Sequence, residues 1–454
     1  MIHRGAAVVL GLASGLFAFP AVFGLTHSIP AGVVVALVAT AVVAWATGTG
    51  RVFAFDDGAV PKSYKAASAV VSVLAIILLT RLTIFMVDPS KVNCSANPFS
   101  QWEIGHSCLT AYHIAGKLVG VENVYSPALY NAPEDNPSAP RKARKLGPFN
   151  VDVFEYPPPF LLLPRAFHLL TPDFMDLRPL WFAFCGSVLL AGLVAVAAHI
   201  GGAIGTRALL LSPLLWIAVP ATLSTLQKGN IQVVIIASAM MAMILFARGR
   251  RAAGGAILAF AVVSKLWPGM LIVYLIARRE WRAAAWTVAF SLFWSGLALA
   301  LFGWGAYSTF LDHAPGLLSG EAFPAFRNAG AMGINLSIPN ILFKLKLFGF
   351  PGATFEVAKV LGSIYTVIAI AATVWAARKP WRQNEQPLVW LAILTIATLR
   401  SPFLPVTYGV IPGLWLLTLV AARWNPTARS LALAGLGFLA LNFSWPLDLS
   451  LIHI

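Results

Sequence analysis

Residues 88–117 read DPSKVNCSANPFSQWEIGHSCLTAYHIAGK and residues 152–164 read DVFEYPPPFLLLP. They open and close a long polar loop, about Asp88 to Pro164, in a chain that is otherwise apolar. The loop holds Asp88, Glu103, His106, Asp152 and Glu155, two of the three cysteines, a basic run and a proline cluster. Over the whole chain, hydrophobic residues are 59%, charged residues 11%, and mean hydropathy is +0.79. A soluble domain carries about 25% charged residues, so the fold class is an all-α polytopic membrane protein. A length of 454 residues leaves room for roughly ten to twelve spans of ~20 residues. Such a chain has few places for chemistry, and this loop, with the smaller loops on its side, supplies them.

The net charge of +15 does not call for nucleic acid. Basic residues that flank helices follow from the positive-inside rule and from anionic lipid surfaces, and fifteen Trp fit interfacial belts. His3-Arg4 before an apolar run also opens a signal peptide, but a second apolar segment follows so closely that a retained first span is the better reading. Cys94 and Cys108 both lie in the long loop, and a disulfide between them and two free thiols are both open. No CxxC pattern or metal-spaced His/Cys cluster is present, so neither a metal nor a cofactor is expected.

Eleven spans are expected, at about 6–24, 31–48, 67–87, 180–199, 208–221, 231–247, 283–302, 356–377, 387–400, 406–422 and 428–445. Arg4, Arg51, Lys62 and Lys65 put the N-terminus and the second loop in the cytoplasm, which delivers the long loop outside. Within that loop, Leu109, Tyr112, Ala115, Leu118 and Val119 have helical spacing and predict an amphipathic helix on the membrane interface, Ser107 to Val121. The run Pro140 to Lys145 is a solvated face or a clamp for lipid phosphate. Pro157 to Pro159 forbid regular helix. Residues 1–66 form an N-terminal hairpin with its cytoplasmic loop, and 67–454 form the main membrane domain.

The segment 253–277 is apolar but flanked on both sides by basic clusters, Arg248 to Arg251 and Arg278 to Arg282, so both ends favour the cytoplasm. Its middle reads Ser264-Lys265-Leu266-Trp267-Pro268. A lysine at membrane depth costs about 3 kcal/mol on insertion scales, and irregular backbone survives there only against protein or a watery cavity. Two half-helices forming a broken re-entrant hairpin with Lys265 at the tip satisfy both facts. The alternative is one kinked span with a snorkelling lysine.

An enzyme on the outer face has no nucleotide sugar at hand, so its activated substrate arrives on a lipid carrier. A lipid-phosphate-linked sugar needs apolar grooves, cations for the phosphate and a carboxylate as general base on the acceptor. The residues Ala111 to Ala115 with Gly120 and Tyr125, Phe154-Glu155-Tyr156-Pro157-Pro158, Gln227-Lys228-Gly229-Asn230, the Arg248 to Lys265 and Pro268 segment, Asn335-Leu336-Ser337, and Arg400-Ser401-Pro402 run in one order. In that order and spacing the chain resembles glycosyltransferase family 87, the polyprenol-phosphate-mannose-dependent mannosyltransferases of GT-C fold. The resemblance covers about 75–410 and implies an inverting transfer from a polyprenyl-phosphate-linked sugar donor to a glycolipid or cell-envelope glycan acceptor, at the outer face of the cell membrane.

Where the family has an aspartate at the start of its interfacial helix, His106 stands here, with Glu103 just before it and Asp88 at the end of the preceding span. Glu103, then Asp88, then His106 are therefore the candidates for the base. Lys265, Lys228, Arg400 and Arg327 are candidates for the donor phosphate. Glu155, Tyr156, Gln227, Asn230 and Asn335 are candidates for substrate contact. A secondary transporter or flippase for a lipid-linked or anionic substrate, and a non-catalytic envelope scaffold, are the competing readings. Broken helices and a lysine at depth also fit a transporter.

Overall fold

The computed structural model describes residues 2–50, 53, 56, 60–120, 123–131, 143–321, 329–350, 352, 354–424, 433 and 436. The N-terminal hairpin is α1 (Ile2–Thr26) and α2 (Ile29–Gly48). Ser28 starts α2 by accepting a hydrogen bond from the Ala31 amide. The two helices pack through small residues. A Cβ on Gly11 would lie 2.5 Å from the Thr40 carbonyl oxygen, and one on Gly15 would lie 2.2 Å from the Thr40 hydroxyl. Phe17 then carries α1 onto Gly186, Phe182 and Trp216 of the main domain. Next comes α3 (Lys62–Val87), which ends at Asp88.

The long loop folds as a compact cap. It contains α4 (Gln101–Gly105), β1 (His106–Ser107), α5 (Cys108–Lys117), β2 (Lys145–Leu146) and β3 (Phe149–Val151). β1 pairs parallel with β3, His106 opposite Asn150, and β2 pairs antiparallel with β3. The helix expected on the membrane interface is corrected here. α5 ends at Lys117, and eight of its ten residues are buried. Its polar residues find partners inside, the Thr110 hydroxyl donating to the Ser107 carbonyl and accepting from the Asp152 amide. It therefore needs no wet face. Tyr112 packs on Tyr156, Phe160 and Trp181. The prolines after Tyr156 yield a short 3₁₀ turn, Pro158–Leu161, in place of regular helix.

Then follow α6 (Leu162–Leu170) and α7 (Phe174–Ile200), the latter capped by Asp173 accepting from the Met175 amide at 2.6 Å. Arg178 near its start is buried. Its Nη1 donates to the carbonyls of Phe85 (2.7 Å) and Met86 (3.1 Å), and its guanidinium lies between the rings of Phe85 and Phe149. The arginine thus ties the open carbonyl end of α3 to the cap.

Further on, α8 (Gly202–Leu211) and α9 (Pro213–Trp216) run into a π-helical turn and α10 (Ser224–Lys228), with a 65° bend between the two halves. Gly229, at φ 70°, ends α10 in the left-handed conformation. α11 (Gln232–Ala247) and α12 (Arg251–Ser264) follow, and the helix breaks at Lys265, whose backbone is extended. α13 (Met270–Ala277) and the long α14 (Trp281–Ser319) complete this region, α14 being kinked at Gly303, φ 78°. Gly255 lies against Trp286, and Phe260 against Trp294, so α12 and α14 run side by side in the same direction. The short turn before Trp281 therefore brings α13 back to the end where α12 began. The chain leaves and returns at one basic end, with Lys265 at the far tip.

The remaining described elements are α15 (Ala329–Ile334), α16 (Asn340–Leu347), α17 (Phe355–Ala377), α18 (Gln386–Thr398), α19 (Val406–Gly409) and α20 (Ile411–Arg423). Among the described residues, six helices are long and apolar enough to cross a membrane alone, and the bent pair at 202–228 makes up to seven. The six are the helices at the expected spans 6–24, 31–48, 67–87, 180–199, 283–302 and 356–377. The segments expected at 231–247, 387–400 and 406–422 are shorter apolar helices, and 428–445 lies outside the described residues apart from two positions.

Candidate active site

Two polar ends emerge. At one end the turns bring arginines together. Arg207 reaches the Trp424 carbonyl, Arg278 lies at the carbonyls of Ala377 and Lys379, and Arg423 binds the Asn384 carbonyl beside Glu385. At the other end the cap meets α10, the tip at Lys265 and the turn 400–405. Asn335 is buried there and structural, its side chain bonding the Pro402 carbonyl and the Leu404 amide. Arg400 turns to α17, where its Nε donates to the Thr366 hydroxyl at 2.8 Å. Arg327 lies outside the described residues.

Glu103 and Lys228 form an ion pair of 3.1 Å, with only 13% and 1% of their side chains exposed. The second carboxylate oxygen of Glu103 accepts from the Ser224 hydroxyl, and the Lys228 ammonium sits over the Trp102 ring. Gln227 completes the clamp. It donates to the Glu103 carbonyl and accepts from the Ala96 amide. Asp88 is far more exposed, accepts twice from Ser90, and approaches Lys91. Those hydrogen bonds lower its pKa.

The open cavity at this end, of about 460 Å³, is lined by neither of these carboxylates. It is lined by Trp102, His106, Lys145, Asn150 and Asp152 among others. The pairing of β1 with β3 sets Asp152 beside His106, with Asp152 Oδ2 3.7 Å from His106 Nε2. Trp102 stacks on the His106 ring at 4.5 Å. Burial lowers the His106 pKa, and the Asp152 charge works against that shift. Asp152 was visible in the sequence as one loop acid among seven; what marks it out is the strand alternation Asn150-Val151-Asp152, which points it to the same face as Asn150.

Cys108 stands next to this pair. Its sulfur is 3.7 Å from His106 Nε2 and receives the Asn230 amide at 3.5 Å. The disulfide with Cys94 is absent, and both cysteines are free. The Cys108 sulfur points into the fold, toward His106 and Asn230, and burial pushes its thiol up to about 12. His106, Cys108 and Asp152 present three donor atoms within 4.8 Å of one another, a grouping the linear spacing did not predict.

Deeper in, Lys265 donates to Gln232 Oε1 at 2.9 Å and faces the rings of Tyr156 and Tyr408. Tyr156 also accepts from the Tyr112 hydroxyl at 2.7 Å. Glu155 lies within electrostatic range of Lys265. Burial raises its carboxyl pKa well above the ordinary value, Asp152 adds to the rise, and Lys265 opposes it. Gln232 and Tyr408, absent from the expected set, both touch the lysine. Their signal in the sequence was only proximity to motifs already chosen. Gln232 Nε2 is buried without a hydrogen-bond partner.

These features define a multi-pass membrane protein with a polar cavity lined by Asp152 and His106 and a half-buried lysine, Lys265, at a helix break. The family model of glycosyltransferase family 87 matches residues 154–402, more than half of the chain, so the chain belongs to that family and is a glycosyltransferase. No curated protein and no solved structure matched it. The matched region includes Glu155, Lys228, Lys265, Asn335 and Arg400, and it begins just after Asp152.

Proposed function

We propose that the chain moves a sugar, mannose in this reading, from a polyprenyl-phosphate donor to a glycolipid or cell-envelope glycan. In this reading the fold is GT-C-like, the N-terminus is cytoplasmic, the cavity faces outward across the cell membrane, and residues 1–66 are an added hairpin on a catalytic domain 67–454. The observation that carries the reading is the composition of the cavity: Asp152 and His106 line it, while Glu103 is held in an ion pair and Asp88 lies away from it. Asp152, steadied by His106, takes the proton of the acceptor hydroxyl as its oxygen attacks the anomeric carbon. The bond from that carbon to the phosphate oxygen breaks, the electron pair leaves with the phosphate, and the anomeric centre inverts. Lys145 in the cavity lining, and Lys265, whose charge reaches Cys108 and Glu155, supply positive charge to the departing phosphate. Glu103 and Lys228 then hold the cap in place.

The test is transfer of radiolabelled mannose from polyprenyl-phosphate-mannose to a membrane lipid extract, using purified wild type and Asp152→Asn, Glu103→Gln and Asp88→Asn variants. Loss confined to Asp152→Asn, with the fold retained, supports this assignment. Full activity in Asp152→Asn defeats it and returns the role to Glu103. No transfer by wild type from mannosyl, arabinosyl or glucosyl donors defeats the polyprenyl-phosphate reading.

A further inference from the structure

The geometry points to a second property of the same cavity: His106, Cys108 and Asp152 form a three-ligand site for a zinc-class cation, with the fourth position open to the cavity. Zinc bonds of about 2.0–2.3 Å to nitrogen, oxygen and sulfur at tetrahedral angles separate the ligand atoms by about 3.3–3.6 Å. Here His106 Nε2 is 3.7 Å from Cys108 Sγ and 3.7 Å from Asp152 Oδ2, and the three atoms lie within 4.8 Å of one another. Closing on a cation needs side-chain movement of about 1 Å. The 3.7 Å between Asp152 Oδ2 and His106 Nε2 is beyond hydrogen-bond length, and the Cys108 sulfur meets His106 Nε2 only at the long distance a weak thiol contact allows, so the three atoms converge without a strong bond among them.

Each donor is also held from behind. The Asp152 amide donates to Thr110 Oγ1, and the Val153 amide takes Oδ1, which leaves Oδ2 to face His106. Asn230 donates to the Cys108 sulfur and is itself fixed by the Gln232 amide. Trp102 sets the plane of the His106 ring. Outer contacts of this kind orient metal ligands and tune them. Of the lysines around the site, Lys228 already has its counter-ion in Glu103, Lys265 bears on Cys108 while bonded to Gln232, and Lys145 stands in the cavity lining. One sulfur, one imidazole and one carboxylate favour zinc and its soft neighbours over magnesium or calcium. Three protein ligands with an open place describe a reactive or exchangeable site, since structural zinc is closed by four.

The metal site stands on its own geometry; its effect on transfer rests on the function proposed above. A bound cation would occupy both Asp152 and His106, so Zn²⁺ is expected to inhibit transfer. The test uses the full chain in nanodiscs, stripped with chelator and titrated with Co²⁺. Wild type should take up about one equivalent and show a thiolate-to-cobalt charge-transfer band with tetrahedral visible absorption. Cys108→Ser should lose the band, and Asp152→Asn should keep it while binding roughly tenfold or more weakly. Absence of the band in wild type, or an unchanged band in Cys108→Ser, overturns the site. If Cys108→Ser does not fold, unchanged affinity in Asp152→Asn overturns it equally.

Zn²⁺ is then added to transfer assays, each protein compared with its own metal-free rate. Inhibition of wild type supports the shared site. Metal binding without transfer from any donor sinks the functional reading and leaves the metal site standing. Saturating Zn²⁺ that binds but leaves transfer intact removes His106 and Asp152 from the reaction only.

Discussion

The two polar ends of this protein use charge in opposite ways. At the end formed by the turns near 207, 248, 278, 378 and 423, arginines meet mainly backbone carbonyls and helix termini. At the other end, side chains meet side chains: Glu103 with Lys228, Asp152 with His106, Lys265 with Gln232. Charges of the first kind are replaceable, because water and lipid headgroups serve the same carbonyls. Those of the second kind are specific, because each is set against one named partner, the Glu103–Lys228 pair almost wholly out of water.

The largest test of that contrast is catalytic. Asp152→Asn is expected to lower transfer by about 10²- to 10⁴-fold, as for a lost general base; the radiolabel assay measures it. Next comes the buried pair. Lys228→Met leaves Glu103 without its ammonium and should destabilise the protein by about 3–5 kcal/mol in thermal unfolding in detergent. A Lys228→Met/Glu103→Leu double variant should recover much of that loss, and equal losses in the two proteins would show that the pair is not coupled.

Arg178→Ala removes charged hydrogen bonds worth about 1.5–3 kcal/mol each to the end of α3, so the cap should loosen before the rest, as hydrogen exchange at residues 143–156 would report. His113 offers a pH test. It packs between His168 and Phe174, and its charged neighbours are Lys117, His168 and Asp173. Burial, then Lys117, lowers its pKa from 6.5 to about 4. The unfolded chain therefore binds the proton first, and stability should fall as pH drops from 6.5 toward 4. His113→Phe should flatten that slope in melting curves taken across the window. The smallest effect is expected at the other end: Arg250→Gln should change stability by no more than about 0.5 kcal/mol and leave transfer intact. A large loss there would erase the distinction between the ends.

Much of this was legible in the linear chain. Apolar runs, basic turns and the Lys265 to Pro268 break are local features, and each dictates its own structure: a helix, its end, or its interruption. The position of Asn335 and the pairing of Lys228 were not. Both residues were expected to meet substrate, yet Asn335 is occupied by Pro402 and Leu404, and Lys228 by Glu103. A polar side chain looks the same in sequence whether it awaits a ligand or has already found a partner in the protein.

The sequence by itself determined that the chain lives in a membrane, that its polar chemistry collects in the long loop, and that a lysine and a proline interrupt an apolar helical segment. Those conclusions rest on hydrophobic transfer and backbone restriction, which act over a turn or two of chain. Only the tertiary structure decided which acid faces the cavity. His106 and Asp152 are brought together by a two-residue parallel pairing across the loop, and Glu103 and Lys228 by packing of α4 against α10. Neither contact has a periodicity to read. Each exists because the cap closed over the helices in one arrangement, and side-chain partners at such separations are fixed by that closure.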